Sequence, residues 1–282
     1  MTTTTAAGQL ESGAPRSGVR AGFGHLMLAE WTKIRSVRST AWTLILFVII
    51  TIGLTALFTW VTIANWTGLH AAPRDARALA DPTSIIFGPS IYLGQLTICV
   101  LGVLLITTEY STGVIRASLL AVPKRFPMLG AKIAVFAVLM TVLAEIVVFC
   151  SFFVGSAILH SRVSVSLSDS GVLRSTVGAG LYLTVFGLFA MAIGALVRHT
   201  AGAISIAIGV AFVLPILAGL LPDTSFFNHL VAYLPQQAGS VVYQVHPTGT
   251  QLLSAWEGFG VLCIWTALLL AIATYLLDRR DA

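Results

Sequence analysis

Residues 133–159 read IAVFAVLMTVLAEIVVFCSFFVGSAIL, a continuous apolar run in which Glu145 is the single charged side chain. A helix of this length measures about 40 Å, which exceeds the ~30 Å thickness of the hydrocarbon core of a bilayer. A strand of a membrane barrel alternates apolar and polar residues over a shorter distance, and this run does not. Because backbone in lipid must form its own hydrogen bonds, the run predicts a membrane-spanning helix.

Five more apolar runs have a similar length and are separated by short charged segments. Together with the first, they cover residues 41–63, 86–106, 133–159, 175–197, 201–221 and 258–277. The chain of 282 residues is 57% hydrophobic and only 10% charged, and its mean hydropathy is +0.92. A soluble domain carries roughly 25% charged residues, so the composition excludes that class. The sequence therefore predicts an all-α integral membrane protein with six transmembrane helices.

The basic residues predict how the chain crosses the membrane, because cytoplasmic loops carry more Lys and Arg than external ones. Twelve of the sixteen lie in segments that would share one side: Arg16, Arg20, Lys33, Arg35, Arg38, Arg116, Lys124, Arg125, Lys132, Arg198, Arg279 and Arg280. The other side would hold Arg74, Arg77, Arg162 and Arg174. Both termini are therefore expected in the cytoplasm. This bias also explains the net charge of +5, so nucleic acid is not an expected partner.

The N-terminal residues precede the first apolar run. Residues 1–21 are polar and small, so we expect a disordered cytoplasmic arm there and a single membrane domain over residues 22–282. The next stretch, FGHLMLAEWTKIRSVR, has apolar residues at spacings of four, four and three: Phe23, Met27, Trp31 and Ile34. This pattern predicts an amphipathic helix on the inner leaflet, where Trp and basic residues are favoured. The alternative is a cytosolic extension of the first span.

The segment before the last span, residues 222–257, is long and partly apolar. An Asp-Thr-Ser start at residues 223–225 predicts a helix that Pro235 would end. Its apolar face would hold Phe226, Leu230, Tyr233 and Leu234. Such a segment lies at the outer interface or enters the membrane where protein surrounds it. An outer gate and a passive anchor both remain open.

Several kinds of chemistry have no signature in this chain. The sequence contains no GxxxxGK[ST] phosphate loop and no HExxH motif, so neither ATP hydrolysis nor zinc catalysis is expected. Cys99, Cys150 and Cys263 lie inside predicted spans without metal-ligand or disulfide spacing, which favours simple packing. We therefore expect no metal, no cofactor and no enzymatic activity in this chain.

Two features inside the spans are candidates for a role in transport. Glu145 lies in the middle of the third span, where an ionisable residue is costly and often functional, although a structural hydrogen bond is the alternative. The second span presents small and mildly polar residues on one face: Gly88, Tyr92, Gln95, Cys99 and Gly102. That face predicts a transport pathway or a dimer contact, and close packing between helices explains it as well.

The loop between the second and third spans, residues 107–132, reads TTEYSTGVIRASLLAVPKRFPMLGAK. Residues 114–122 can form a short helix between the turn at Gly113 and the exit at Pro123. A short helix held by two transmembrane helices can transmit a push from a bound partner. The loop therefore predicts a cytoplasmic docking helix.

The run ITTEYSTGVIRASLLAVPKRFPMLGAKI, residues 106–133, resembles the cytoplasmic loop of ABC transporter permeases of the type-2 export class. The run LAEWTKIRSVRSTAWTLILFV, residues 28–48, is similar to members from high-GC Gram-positive bacteria. The resemblance covers nearly the whole chain and rests on the order of degenerate motifs. Val114 departs from the family, in which Thr often follows the glycine.

The resemblance implies a permease subunit of the bacterial cytoplasmic membrane that exports substrate along a pathway between two permease copies, identical or related. A separate ABC ATPase subunit would bind ATP and Mg. The N-terminal helix and the loop helix, called the coupling helix in that family, would dock on the ATPase. Carried onto this sequence, the docking residues are Glu109, Gly113, Arg116, Pro123, Lys124 and Arg125, with Glu30 and Lys33 nearby. Membrane lipid is the remaining expected partner.

Two other functions remain open on the sequence alone. The first is an ion-coupled secondary transporter that depends on Glu145. The second is a membrane sensor or immunity component that has the same fold and transports nothing. The sequence predicts no particular substrate.

Overall fold

The computed structural model describes residues 22–66, 80–111, 125–222, 224–245 and 252–279. These residues form helices and connecting turns without a strand. The helices are α1 Phe23–Ser36, α2 Arg38–Ala64, α3 Pro82–Ser111, α4 Arg125–Leu159, α5 Val172–Val197, α6 Thr200–Ala218, α7 Ser225–Ala232, α8 Pro235–Ser240 and α9 Ala255–Arg279. The predicted arm at 1–21 and the predicted loop helix at 114–122 lie outside the described residues.

Six of these helices, α2 to α6 and α9, are long and apolar enough to cross a membrane. The predicted all-α architecture with six apolar helices is therefore confirmed. The helices extend beyond the apolar runs at several ends, because polar residues continue the hydrogen-bonded backbone. The second helix, for example, begins at Arg38, although its apolar run begins at Ala41.

The centre of the bundle consists of α3 and α5. In the most apolar stretch of each helix, 61% of the residues are buried in α3 and 72% in α5. The corresponding fraction is 17–33% in the other four long helices. Glycine allows this pair to come close: a Cβ added at Gly102 would lie 2.4 Å from the carbonyl oxygen of Gly187. Added at Gly194, it would lie 3.2 Å from the Cα of Val103. Small residues are a common means of packing helices in lipid, where no hydrophobic force draws them together.

Helix α2 faces the bundle with its polar side. Its buried residues are Phe47, Thr51, Thr55 and Thr59, spaced four apart, while large apolar side chains such as Trp42 and Ile49 are exposed. The hydroxyl of Thr55 donates to the Thr51 carbonyl at 3.0 Å, as a hydroxyl in a helix often does. In a bilayer the apolar side contacts lipid, so the small threonines serve as the packing surface.

Helix α6 contains a π-helical turn at Gly209–Val213. The N–H of Leu214 donates to the Gly209 carbonyl, five residues earlier, and Pro215 follows without an N–H of its own. The extra residue in the turn makes room for the proline ring. Phe212, in this turn, makes an edge-to-face contact with Tyr92 of α3 at 4.6 Å between ring centroids. The irregular turn therefore packs on the central helix.

The segment after α6 divides into an exposed helix and a buried one. Thr224 caps α7 by accepting from the N–H of Phe227 at 3.5 Å, and the helix ends before Pro235, as the sequence predicts. Phe226, Leu230 and Tyr233 are exposed. By contrast, α8 is almost entirely buried, and residues 235–245 form what we call the inserted segment.

The inserted segment lies between α5 and α9. A Cβ added at Gly258 would lie 2.3 Å from the Ala238 carbonyl oxygen, and one added at Gly178 would lie 2.8 Å from that of Val242. The guanidinium of Arg174 donates to the carbonyls of Val242 and Gln244, both at 2.9 Å, and the Ser175 hydroxyl donates to that of Tyr243. The carbonyls of Val242, Tyr243 and Gln244 thus have side-chain partners on α5.

Replacing Arg174 by methionine removes both guanidinium bonds and should destabilise the chain by about 1–3 kcal/mol. The amides of residues 235–245 should then exchange hydrogen faster than in the unchanged protein, measured by mass spectrometry in detergent. Arg162→Met, at an exposed position outside the inserted segment, is the matched control and should leave the exchange unaltered. Equal protection in the two variants would contradict the proposed anchoring.

Candidate functional site

Helix α1 packs across one end of the bundle, chiefly against α4 and less against α2. Its buried residues are Glu30 and Ile34, whereas Phe23 and Trp31 of the predicted apolar face are about half exposed. The helix therefore places a carboxylate against the bundle and leaves aromatic side chains outside. The predicted position on the inner leaflet stays a prediction.

Four charged side chains from three helices meet beneath α1, and we call them the ionic cluster: Glu30, Lys33, Glu109 and Lys132. Lys132 Nζ lies 2.5 Å from Glu30 Oε2 and 2.8 Å from Glu109 Oε1. Lys33 Nζ lies 2.8 Å from Glu30 Oε1 and 3.1 Å from Glu109 Oε1. The cluster joins α1 to the last turns of α3 and to the first turns of α4. We call this end of the bundle the ionic end.

The ionic cluster is largely shielded from solvent. Lys132, Glu30 and Glu109 are 2%, 4% and 9% exposed, while the Lys33 side chain is 38% exposed. Two carboxylates and two ammonium groups make the cluster electrically neutral. Buried ion pairs add little net stability, but removal of one partner leaves an uncompensated charge and is costly. The cluster therefore fixes the position of α1 on α3 and α4.

Two members of the cluster have shifted pKa values. Burial alone would raise the pKa of Glu30, but the nearby Lys132 ammonium and hydrogen bonds from Lys132 and Lys33 outweigh burial and lower the pKa. Burial alone would lower the pKa of Lys33, and its bonds to Glu30 and Glu109 outweigh burial and raise it. Both shifts favour the charged forms.

The lowered pKa of Glu30 makes the stability of the fold depend on pH. The stabilisation by the Glu30 carboxylate is fully present above the ordinary pKa of 4.5 and is lost as the pH falls through the lower pKa of the folded state. We expect the difference in free energy of unfolding between the unchanged protein and Glu30→Gln to shrink from pH 6 to pH 3. Urea unfolding in detergent at the two pH values measures it. A difference that is constant across this range would contradict the ionic pairing.

The structure brings together three of the predicted docking residues, Glu30, Lys33 and Glu109, but as partners of one another rather than on an open surface. Two of the three are buried. Lys132, which is not among the predicted docking residues, is the member that links both carboxylates. Its signal in the sequence was a lysine directly before an apolar run, where a charge is expensive unless paired.

The other predicted docking residues belong to the loop. Gly113, Arg116, Pro123 and Lys124 lie outside the described residues, and Arg125 is the first residue of α4. Their role in docking stays a prediction. The loop that contains them starts at the end of α3 and finishes at the start of α4, so Glu109 and Lys132 pair directly at its two ends.

The polar face predicted on the second span is largely interior to the single chain. Gln95 and Cys99 are buried, and Gln95 Oε1 accepts from the Tyr182 hydroxyl of α5 at 2.5 Å. Gly102 packs on Gly187, and Tyr92 contacts Phe212. Gln95, Cys99 and Gly102 thus take part in close packing between helices of the single chain. A pathway or a dimer contact at this face stays a prediction.

Glu145 lies against α5, where Gly180 leaves space for it. A Cβ added at Gly180 would lie 2.5 Å from the Glu145 carboxyl carbon. In the part of the chain that the structure describes, both carboxyl oxygens are buried and have no hydrogen-bond partner. Whether Glu145 has a structural or a functional role stays a prediction. An unpartnered carboxyl group at this depth is costly, which makes Glu145 a candidate functional group.

No group of three or more His, Cys, Asp and Glu side chains in the described ranges is arranged to hold a metal ion. Comparison with protein-family models and with curated proteins finds no match to this chain. The geometry of the ionic end and the order of the sequence motifs are therefore the observations that bear on function.

Proposed function

We propose that this chain is the membrane-spanning permease subunit of an ATP-driven exporter, powered by a separate ATPase that binds ATP and Mg. The observation that carries the proposal is the Glu109–Lys132 pair, which joins the two ends of the predicted docking loop at 2.8 Å and is shared with Glu30 of α1. A loop joined in this way moves together with α1, α3 and α4 when a partner pushes on it.

The route from the loop into the bundle supports the proposal. Glu109 belongs to α3, which with α5 forms the buried centre, and Gly102 of α3 contacts Gly187 of α5 through the backbone. Interfaces packed this closely transmit displacements instead of absorbing them. In the proposal the loop faces the cytoplasm, its residues between Gly113 and Arg125 contact the ATPase, and substrate moves between two permease copies.

Coupled ATP hydrolysis tests this function. The chain is co-expressed with the phosphate-loop ATPase encoded beside it, and copurification and stimulated ATP hydrolysis are measured in vesicles. Arg116→Glu should reduce stimulation at least tenfold while membrane insertion is retained. Arg162→Glu, the same change in the loop on the other side, is the matched control and should behave like the unchanged protein. Full stimulation with Arg116→Glu would refute docking through this loop.

A second function, ion-coupled transport, is favoured by one observation, the buried and unpartnered carboxyl group of Glu145. Such a carrier would work under a proton gradient without any ATPase. Solute uptake by purified protein in liposomes under a proton gradient alone would support it, and Glu145→Gln should abolish that uptake. ATP-dependent export that survives Glu145→Gln would instead support the first proposal.

A further inference from the structure

A cavity of about 370 Å³ lies beside the ionic cluster, between α1, the first turns of α2 and the last turns of α3. This volume falls in the range of ligand-binding pockets, roughly 300–1,000 Å³. It is partly open to the outside of the bundle. The ionic cluster forms one part of its lining.

The polar part of the cavity offers hydrogen-bond donors. Lys33 lines it, and the two carboxylate contacts of its ammonium group leave one of three donors for another partner. Ser39 and Thr40, which carry hydroxyl groups, line it as well. Helix α2 begins there directly after the end of α1 at Ser36.

The acidic side chains of the lining are already paired. Glu30 and Glu109 are each bound to lysine ammonium groups. An ammonium headgroup would have to displace Lys33 or Lys132 to pair with a carboxylate. The unused donor of Lys33 thus favours phosphate over a cationic group.

The rest of the cavity is apolar. Leu101, Leu104 and Leu105 of α3 line one wall, and Ile34 and Val37 line the side of α1. Leucine side chains suit a hydrocarbon chain, and burial of each CH2 group contributes about 0.8 kcal/mol. A ligand that fits both parts has an anionic head and an acyl tail.

We propose that this cavity binds one anionic phospholipid from the leaflet around the ionic end, with its phosphate at Lys33, Ser39 and Thr40 and an acyl chain along α3. The lipid would fill the space between α1 and the bundle and hold α1 against α2. This site does not depend on the proposed transport function, because it concerns a resident lipid and not a cargo.

Thermal unfolding of delipidated protein in a neutral detergent tests the site. Dioleoylphosphatidylglycerol should raise the unfolding midpoint by about 5 °C, since a ligand that binds only the folded state stabilises it. Dioleoylphosphatidylcholine should raise it by less than half as much. Glycerol 3-phosphate, which has the anion without acyl chains, should leave it unchanged. Native mass spectrometry should show one retained phosphatidylglycerol per chain.

Two variants locate the site. Leu104→Trp fills the cavity and should abolish the shift, and Thr40→Val keeps the volume but removes a donor and should at least halve it. Ile49→Trp introduces the same ring on the outward side of α2, where Ile49 is 62% exposed, and should retain the full shift. If Leu104→Trp fails to fold, the shift of the unfolding midpoint in Thr40→Val decides whether the lipid binds in this cavity.

Four results would overturn the proposal. Equal shifts with phosphatidylcholine would show that the headgroup is not recognised. An equal shift with glycerol 3-phosphate would identify a site for free anions instead. A full shift in Thr40→Val, or a lost shift in Ile49→Trp, would place the lipid elsewhere. Loss of ATPase coupling would change none of these readouts, so the two proposals fail separately.

Discussion

Lys132→Met should destabilise the folded chain by about 3–5 kcal/mol, the largest effect expected in the ionic cluster. The lysine is 2% exposed and bonds to Glu30 and Glu109, which come from two different helices. Without it, two buried carboxylates share only Lys33, and one negative charge has no compensation. Because methionine keeps much of the length of the lysine side chain, the lost stability would come from the missing charge and not from a cavity.

Reversible unfolding in mixed micelles measures this loss, with tryptophan fluorescence as the signal. Lys33→Met is the matched control, because its side chain is 38% exposed and water can replace it. We expect Lys33→Met to cost less than half as much. Addition of Glu109→Gln to Lys132→Met removes one surplus charge and should restore part of the stability. Equal losses for the two lysines, or no recovery in the double variant, would contradict the charge argument.

Gly102→Ala should weaken the contact between α3 and α5 by at least about 2 kcal/mol. The added methyl carbon would lie 2.4 Å from the Gly187 carbonyl oxygen and 3.1 Å from the Met191 nitrogen, and both are backbone atoms that no rotamer change can move. The two central helices would therefore have to separate, and an overpacked core typically costs 1–3 kcal/mol. The same unfolding assay measures this effect.

Gly88→Ala is the control for this prediction, because Gly88 belongs to the same helix and an added Cβ there would meet no atom within 4 Å. Alanine favours a helix over glycine by roughly 1 kcal/mol, so this change should be neutral or stabilising. If both glycine variants lose the same stability, the loss would not depend on the contact with Gly187, and the close crossing of α3 and α5 would not explain it.

The six long helices could be predicted from the sequence because each apolar run is a local property. The start of α7 could also be predicted from nearby residues, because Thr224 accepts a hydrogen bond from the N–H only three residues later. The ionic cluster could not be predicted in this way, because Glu30 and Lys132 are 102 residues apart in the chain. Sequence reasoning placed Glu30 and Glu109 correctly at one end of the bundle, but it could not decide that they bond to the same lysine.

When a helix is surrounded by lipid, the polarity of its two sides does not indicate burial as it does in water. On α2 the exposed side holds Trp42 and Ile49, and the buried side holds Thr51 and Thr55. A helix of a soluble protein would bury the opposite side. The second span behaves in the same way, because Gln95 on its mildly polar face is buried against Tyr182 of α5.

The inserted segment shows another limit of sequence reasoning. Its hydropathy was compatible with a gate or with an anchor, and the bonds from Arg174 depend on a turn of α5 some 70 residues earlier in the chain. What surrounds a short apolar stretch decides its role, and those surroundings come from distant parts of the sequence.

The spacing of the ionic cluster along the chain also constrains how the protein is made. Glu30 leaves the ribosome 102 residues before Lys132, the residue that neutralises it inside the bundle. During that interval the nascent chain has two of its spans but cannot seat its first helix with the charge balanced. Attachment of α1 is therefore a late event in biogenesis, completed only when the third span has been inserted.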